Sequence, residues 1–567
     1  MMNSRHIKHI ISLALLLLAV LFFISCQVKS TPAHIEVESL EKLCKVWGYL
    51  KYHHPAFILG EKDWDNELLY ILPEIKYESD PKKVNDILYK WAYSLNYDKY
   101  NNLKSISINT IKDTPNTSFK ADTQWIQDTL YLGEDLSALL RKLNAYLDID
   151  RHLGPVSFEE SEIKYNFSNE KYHLEIDFSK DESKLLGLFR VWNVIEYYYP
   201  YLDILEDDWA EILPKYIGLM LDAKDKNDYY LTLAMMTSHL HDGHANFTRD
   251  NRFILEQSGV YAVPVGIMGV EDNVIVSKVY DDFVELKIGD IIKEVNDECI
   301  DDIIERNLRY ISNPSKEKIV APLALYILRS KSENIKLKIQ RDEKEIIVNI
   351  TGYRDKFPNS YQKKSHELLN GNIGLINPNG LVGGAIFEIM QEFKNTEGLI
   401  IDLRQYPRSS DLLTAFPLYL DGEFPLWTNQ IPSEIVPGLF LINENKKKMT
   451  DVNLTKKKLI YNYSKPICLL VDEHSISQSE AIALCLGEYP NVTLIGTNTY
   501  GANGNVSTLP IPGGNDFSFS SIGISKAGNI QTQIIGIKPD IVSQPTVKSI
   551  AMGKDEILLD AINYISE

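Results

Sequence analysis

The chain has 567 residues, a formal net charge of −19 and the composition of an ordinary globular protein with many tyrosines. A single hydrophobic core rarely serves a chain of this length, so several domains are predicted. The negative charge argues against nucleic acid or anionic lipid as a main partner, because both are bound by cationic surfaces.

The N-terminus has the order of segments of a secretory signal. Arg5 and Lys8 precede the apolar run "ISLALLLLAVLFFI", which ends at "SC" and is short for a transmembrane helix. Serine before cysteine resembles a bacterial lipobox, although Phe23 stands where leucine is usual. The resemblance implies that residues 1–26 are a lipoprotein signal and that Cys26 carries the lipid, which anchors an exported chain at the bacterial cell envelope, on its periplasmic or outer-membrane face. A plain cleaved signal or a membrane-anchoring helix is the alternative.

A repeat occupies the first part of the chain. The stretch "VWGYLKYHHP" (46–55) matches "VWNVIEYYYP" (191–200), and each is followed by an acidic-Trp pair at the same spacing. Apolar residues at helical period and proline stops predict two small helical units, the first within residues 34–175 and the second within 180–257.

Only the second copy ends in "HDGHANF". The constant offset of 145 residues places Lys99 opposite His244. A histidine present in one copy alone favours a function for it, since its side chain changes charge near neutral pH. Two alternatives are a metal site formed with His241 and a histidine that only caps a helix or fills the core.

Residues 258–354 change to strand-like patterns such as "NVIVSKVY" and "IKLKIQRDEKEIIVNI". The stretch "LKIGDIIKEVNDECIDDII" resembles a PDZ domain, with Asp297 where the signature has glycine. PDZ domains bind extended peptides by strand addition and hold a C-terminal carboxylate on backbone amides. The resemblance implies a peptide site at Val263, Val265, Gly266 and Ile267.

Residues 355–567 alternate short apolar strands with helical stretches, which predicts an α/β layer with a mostly parallel sheet. One predicted strand, "ICLLVDE", leads directly into "HSISQSE". Ser477 and Glu480 fit the S-x-x-E pattern of a capping box, so the serine is either a helix cap or a nucleophile at the carboxyl end of a strand.

The order of these pieces resembles the tail-specific, or C-terminal-processing, serine peptidases. The motifs that carry the resemblance are "GLIIDLR", "VDEHSISQSE", "LIGTNTYGANG" and "IIGIKPDI". It implies a multidomain α+β protein with helical repeats, a PDZ-like domain and a crotonase/ClpP-like catalytic core. It also implies that Ser477 attacks the peptide carbonyl of a peptide or protein substrate without a metal or cofactor.

A serine hydroxyl needs a base at neutral pH. One branch of the family uses a lysine in a "T-x-G-K-G" loop, where this chain has Ala502. The tricorn-like branch uses an upstream histidine, which implies His244 as the general base for Ser477. Glu480 is expected to orient the site or stabilise the charged histidine, and Gln533 is the polar residue nearest the place where that branch has a late glutamate.

The resemblance assigns the oxyanion hole to the backbone amide of Gln478 and to an amide of the loop "QYPRSS" (405–410), from Arg408 or Ser409. This loop lacks the glycines that make it easy to turn an amide inward. An impaired pseudopeptidase that binds peptides or protein C-termini is therefore the main alternative. A carrier of small hydrophobic molecules is a further alternative, by fold-level analogy to a vertebrate retinoid-binding protein.

Overall fold

The computed structural model describes residues 31–106, 116–143, 146–281, 284–313, 320–354, 364–421, 427–444 and 460–567. The predicted signal segment and Cys26 lie outside these residues. The described chain forms a helical region up to residue 258, an antiparallel β region from 261 to 354 and an α/β region from 366 onward. Across the described ranges, no helix combines the length and apolarity needed to cross a membrane.

The helical region contains ten α-helices and six short strands in the described residues. The helices are α1 (Thr31–His53), α2 (Pro55–Ile58), α3 (Trp64–Lys76), α4 (Pro81–Ser94), α5 (Thr129–Leu132), α6 (Glu134–Lys142), α7 (Asp181–Tyr198), α8 (Trp209–Asp222), α9 (Lys226–Thr237) and α10 (Arg252–Ser258). The strands are β1 (Ser105–Ile106), β2 (Thr117–Phe119), β3 (Tyr146–Leu147), β4 (Ser157–Glu159), β5 (Lys164–Asn166) and β6 (Asn246–Phe247). The side chains of Asp63, Asp80, Asp208 and Asp225 accept hydrogen bonds from first-turn amides, which fixes where α3, α4, α8 and α9 begin.

The predicted repeat is confirmed at its predicted offset. Helices α1, α3 and α4 correspond to α7, α8 and α9: the first pair ends, and the other two pairs begin, at the same relative residue. The indole N–H of Trp47 donates to the carbonyl of Trp64 at 2.8 Å, and that of Trp192 donates to the carbonyl of Trp209 at 3.0 Å. The two copies are therefore built on the same helix-to-helix hydrogen bond.

The two copies share one buried core rather than forming separate bodies. A Cβ on Gly48 of α1 would lie 1.6 Å from Asn193 Oδ1 of α7, so these helices cross in close contact. Arg190 of α7 pairs with Asp65 of α3 at 2.6 Å and with Glu170 at 3.1 Å, and all three side chains are fully buried. Removing one partner of such a buried pair is strongly destabilising, which ties the first copy to the second.

The β region contains nine strands and two short helices in the described residues. They are β7 (Tyr261–Ala262), β8 (Val265–Val270), β9 (Asn273–Val279), β10 (Ile291–Val295), β11 (Glu298–Cys299), α11 (Ile300–Leu308), α12 (Val320–Leu323), β12 (Arg329–Ser330), β13 (Asn334–Arg341), β14 (Lys344–Thr351) and β15 (Tyr353–Arg354). The main sheet has the antiparallel order β14-β13-β10-β9-β8, so β8 lies at its edge. Asn296 and Asp297 join β10 to β11 with φ of 51° and 67°, and these two residue types tolerate the left-handed region. The predicted strands are confirmed, and the assignment as a PDZ domain stays a prediction.

The α/β region is built around a six-stranded sheet of order β16-β17-β18-β21-β22-β25. Its elements are β16 (His366–Leu369), β17 (Ile373–Ile376), α13 (Ile386–Glu392), β18 (Gly398–Asp402), α14 (Asp411–Thr414), β19 (Thr428–Pro432), β20 (Leu439–Glu444), β21 (Ile467–Val471), α15 (Gln478–Leu486), β22 (Val492–Gly496), β23 (Gly504–Ile511), β24 (Asn515–Ser525), β25 (Ile541–Val542), α16 (Val547–Ala551) and α17 (Glu556–Ser566). Strands β17 to β25 of this sheet run parallel and β16 runs antiparallel, so the predicted parallel layer is confirmed. The narrower assignment to a crotonase/ClpP-like core stays a prediction.

A second, antiparallel sheet links this region to the helices. Its order is β2-β20-β19-β24-β23, and β6 pairs with β24 through Phe247 and Phe517. Strand β6 directly follows the "HDGH" segment, so its pairing brings that segment to the α/β region. The loop that leaves the carboxyl end of β22 lies against the end of the second helical repeat, where Gly243 contacts Tyr500 and Ala502.

Candidate active site

Ser477 stands between the end of β21 and the start of α15. Its backbone has φ 55° and ψ −112°, a conformation that costs energy for a residue other than glycine. Ser475 and Ser479 are fully buried, and Ser475 Oγ donates to the carbonyl of Leu403 at 3.0 Å, whereas Ser477 is only half-buried. Of the three serines, Ser477 is the one in the strained, accessible position that suits a nucleophile.

Glu480 holds the backbone around Ser477. Its buried carboxylate accepts the Ser477 N–H at 3.3 Å, which is half of the predicted capping box. It also accepts the Thr499 hydroxyl at 2.6 Å and the backbone N–H groups of Gly501 at 2.8 Å and Ala502 at 2.9 Å. These contacts make it a brace between the serine turn and the loop after β22.

His244 lies between α9 and β6, in the loop that the repeat comparison singled out. Its side chain is 12 % exposed, and its Nδ1 lies 2.9 Å from Ser520 Oγ on β24. Burial lowers the pKa of His244, and the nearby Asp242 carboxylate offsets part of this effect. A neutral imidazole at pH 7 is the form required of a general base. The neighbouring His241 instead contacts the carbonyl of Asn313 at 2.9 Å through Nδ1.

The residue 499–502 loop connects the histidine segment to the serine turn. A Cβ on Gly243 would lie 2.2 Å from Tyr500 Cε1 and 3.0 Å from Ala502 Cβ, so the two loops are in close contact. The carbonyl of Ala502 accepts the Ser477 N–H at 3.0 Å. Both predicted catalytic segments thus pack on the same few residues, and the fully buried Ala502 lies where the other branch of the family has lysine.

Asp242 was not among the residues predicted from the sequence. This fully buried carboxylate accepts the backbone N–H of His244 at 3.0 Å, the N–H of Ser520 at 2.9 Å and the Ser520 hydroxyl at 3.0 Å. Gln533, considered for the late acidic position, donates its side-chain amide to Asp242 at 3.3 Å. The signal available in the sequence was an aspartate two residues before the histidine, but its partner Ser520 lies 278 positions further along the chain.

The loop after β18 contains Arg408 and Ser409, the two residues predicted as alternatives for one oxyanion donor. The Arg408 N–H donates to the carbonyl of Pro378 at 3.2 Å, so in this conformation it is not a free donor. Within the described residues, the backbone N–H groups of Ser409 and Gln478 have no hydrogen-bond acceptor. The Gln478 side chain donates to the carbonyl of Ser409 at 3.1 Å, which joins the two segments. The geometry therefore favours Ser409 over Arg408.

The predicted peptide-binding residues lie at the edge of the β region. Val265, Gly266 and Ile267 belong to β8, which pairs on one side with β9. The side chains of Val263, Val265 and Ile267 are buried, so a peptide added at this edge would meet mainly backbone groups. Strand addition depends on such main-chain groups, and this arrangement is compatible with it.

One comparison with models of known families matches part of the α/β region. Residues 431–543, which contain Ser477 and the loop 499–502, match the model of peptidase family S41. No curated protein is similar enough to the sequence to count as a match.

Several solved structures resemble this chain in fold at low sequence identity. Mature CPAF complexed with lactacystin has 15 % identity and a TM-score of 0.50, and the alignment covers 68 % of this chain and 98 % of that one. A CPAF mutant has 15 % identity and a TM-score of 0.52, with the same coverage. The photosystem II D1 C-terminal processing protease has 14 % identity and a TM-score of 0.37, covering 66 % of this chain and 98 % of that one.

The predicted resemblance to tail-specific serine peptidases is confirmed by the family match, which contains three of the four motifs that carried the prediction, all except "GLIIDLR". The matched segment contains Ser477, and the match supports a serine-type peptidase.

Proposed function

We propose that the protein is an exported, lipid-anchored serine endopeptidase in which Ser477 is the nucleophile and His244 the general base. The observation that carries this proposal is the packing of the Ser477 turn and the His244 segment on the same loop, residues 499–502. The strained backbone and half-exposure of Ser477, and the neutral form that burial favours for His244, support these two roles.

The chemistry is acyl transfer. The Ser477 oxygen attacks the substrate carbonyl carbon while His244 Nε2 takes the hydroxyl proton, and the carbonyl oxygen becomes an oxyanion. The N–H groups of Gln478 and Ser409 are the proposed oxyanion donors, and the loss of one such donor costs about 3 kcal/mol of transition-state stabilisation. His244 then gives its proton to the leaving amine, and water hydrolyses the acyl-enzyme with the same base.

Substrate recognition is proposed to involve the β region as a PDZ-like domain. An extended peptide, or a substrate's C-terminal end, would add to the edge strand β8 near Val263 and Gly266. The anchor is proposed to be a lipid on Cys26, so that the domains work at the envelope surface. Labelling with radioactive palmitate tests the anchor, since Cys26→Ser should abolish lipid incorporation.

A peptide-binding pseudopeptidase is the second candidate. It is favoured by the Arg408 N–H, which is tied to the Pro378 carbonyl in a loop without glycine. In this alternative the chain keeps affinity for peptides and does not turn them over.

A fluorophosphonate serine probe separates the two candidates. Full-length protein in mild detergent is expected to be labelled, and Ser477→Ala is expected to abolish labelling. A folded parent that binds peptides but shows neither labelling nor hydrolysis would favour the pseudopeptidase. Ser479→Ala is the matched control, because Ser479 lies in the same turn but is fully buried.

A further inference from the structure

Asp242 lies two residues before His244, whereas the resemblance implies an acidic residue late in the chain. We propose that Asp242 and Ser520 are positioning residues for His244: the Ser520 hydroxyl donates to Asp242 and accepts the Nδ1–H of His244, which leaves Nε2 as the basic nitrogen. This inference rests on the proposed function, since it explains how that base is held.

The contacts of the Asp242 carboxyl group determine how the Ser520 hydroxyl is oriented. Its oxygens are surrounded by hydrogen-bond donors: the N–H groups of His244 and Ser520, the Ser520 hydroxyl and the Gln533 side-chain amide. The orientation of the Gln533 amide follows from its other end, because Gln533 Oε1 accepts the backbone N–H of Asn503 at 3.1 Å. A buried carboxyl group that faces only donors at these contacts is suited to the ionised, acceptor-only form.

The second step is the direction of the hydroxyl proton. Ser520 has one hydroxyl proton, and its oxygen lies 3.0 Å from Asp242 Oδ1 and 2.9 Å from His244 Nδ1. An ionised carboxylate can only accept, so the proton points to Asp242 and the serine oxygen accepts from Nδ1–H. This fixes the tautomer that a general base requires, with the lone pair on Nε2.

The Ser520 hydroxyl is needed to connect His244 with Asp242. His244 Nδ1 and Asp242 Oδ1 are 3.7 Å apart, which is too long for a direct hydrogen bond. Without the Ser520 hydroxyl, the imidazole has no partner in this cluster to hold its orientation.

The other ionisable groups near this cluster do not replace Asp242. Burial raises the pKa of the phenols of Tyr199, Tyr201 and Tyr500, and the Asp242 charge adds to each shift, so these phenols are neutral at pH 7. Glu480 also influences Tyr201 and Tyr500, but its carboxylate is bound to the loop after β22. Asp242 is the charge that raises the pKa of His244 against the effect of burial.

The test measures the rate of fluorophosphonate labelling of the full-length protein against pH. Ser520→Ala is expected to slow labelling about 10- to 100-fold, and Asp242→Asn more, because loss of the correct tautomer costs about 10⁴-fold where an aspartate contacts the histidine directly. Asp242→Asn should also move the acid limb of the profile to lower pH, since the charge that raises the histidine pKa is gone. A purely structural role would lower the labelled fraction without moving this limb.

Ser521→Ala is the matched control. Ser521 is also fully buried on β24, but its hydroxyl lies 2.6 Å from Ser507 Oγ and does not contact His244. It should label at the parental rate with the parental profile. The inference is overturned when folded Ser520→Ala also labels at the parental rate.

A second measurement keeps the two proposals distinguishable. Nitrogen-15 NMR of labelled histidines, with His244→Ala for assignment, should show the Nδ1–H tautomer in the parent and its loss in Ser520→Ala. An Nε2–H tautomer in the parent would overturn the inference, even in an active enzyme. An unlabelled parent with the Nδ1–H tautomer would instead contradict the proposed catalysis and leave the positioning intact.

Discussion

The two helical repeats have the same framework and different ends. In each copy a tryptophan of the first helix donates its indole N–H to the carbonyl that starts the second helix, at 2.8 Å and 3.0 Å. After the third helix the copies diverge. In the first copy Tyr100 donates to Glu61 at 2.5 Å, which closes the segment onto its own repeat. In the second, Asp242 and His244 make their contacts to β24, far along the chain.

This difference separates the contacts that hold the helices together from the segment that is proposed to take part in catalysis. The hydrogen bonds and apolar contacts that form three packed helices place few demands on the segment that follows them. That segment forms a local turn in one copy and, in the other, a loop that carries the proposed base. Substitutions at matched positions of the two copies test whether the helices and the segments after them have separate roles.

The largest difference in activity is expected between variants of His244 and of Lys99, the matched residue of the first copy. His244→Ala should lower probe labelling and peptide hydrolysis by about 10³-fold or more, because a serine hydroxyl without its base is a poor nucleophile. Lys99→Ala, at the matched position of the first copy, should keep parental activity, since its side chain is 55 % exposed and forms a surface ion pair with Glu61. Equal losses in the two variants would show that the loop acts through folding rather than through catalysis.

Acid should destabilise the first copy more than the second. His53 and His54 are buried, and burial lowers the pKa of each to about 3; the matched residues of the second copy are Tyr198 and Tyr199. The unfolded chain binds protons at these histidines from about pH 6.5 downward while the folded chain does not, so stability is full above pH 6.5 and falls below it.

At pH 5 the expected loss is about 2 kcal/mol for each histidine relative to pH 8. Urea unfolding at the two pH values measures it, and the double variant His53→Tyr, His54→Tyr should reduce the difference. Hydrogen exchange should locate the acid-induced opening in α1 to α4. Opening that begins in α7 to α9 would show that these histidines do not control acid stability.

A substitution of Glu480 tests whether this residue stabilises the fold or takes part directly in catalysis. Glu480→Gln places an amide NH₂ against backbone donors that now bond to a carboxylate, so the free energy of unfolding should fall by about 2 to 3 kcal/mol. Urea unfolding measures this loss, and Glu473→Gln is the control in the same turn. An activity loss with unchanged stability would instead give Glu480 a direct catalytic role.

The sequence predicted the site as far as local pattern and chain order allow. Contiguous stretches of sequence encode the strand, turn and helix around Ser477. The same is true of His244, which only the second copy of the repeat contains. Both features could therefore be predicted. Ser520 gives no local signal, because it is one serine among several in a buried strand and its role depends on a register set by Phe247 and Phe517. The engagement of Arg408 with Pro378 depends in the same way on how two loops meet.

The smallest effect on activity is expected from the tryptophan hydrogen bond that both copies share. Trp47→Phe and Trp192→Phe each remove one indole N–H donor and leave a buried carbonyl without that partner, so each should cost about 1 to 2 kcal/mol. Thermal and urea unfolding of the two variants measure the loss. The two values should agree, since the hydrogen bonds and burial are alike in the two copies. In Trp192→Phe the probe-labelling rate should stay within a few-fold of the parent, because Asp242 and Ser520 hold His244 independently of the helix crossing. A much larger activity loss in that variant would mean that the framework itself sets the geometry of the base, and the separation between the repeated helices and their ends would then fail.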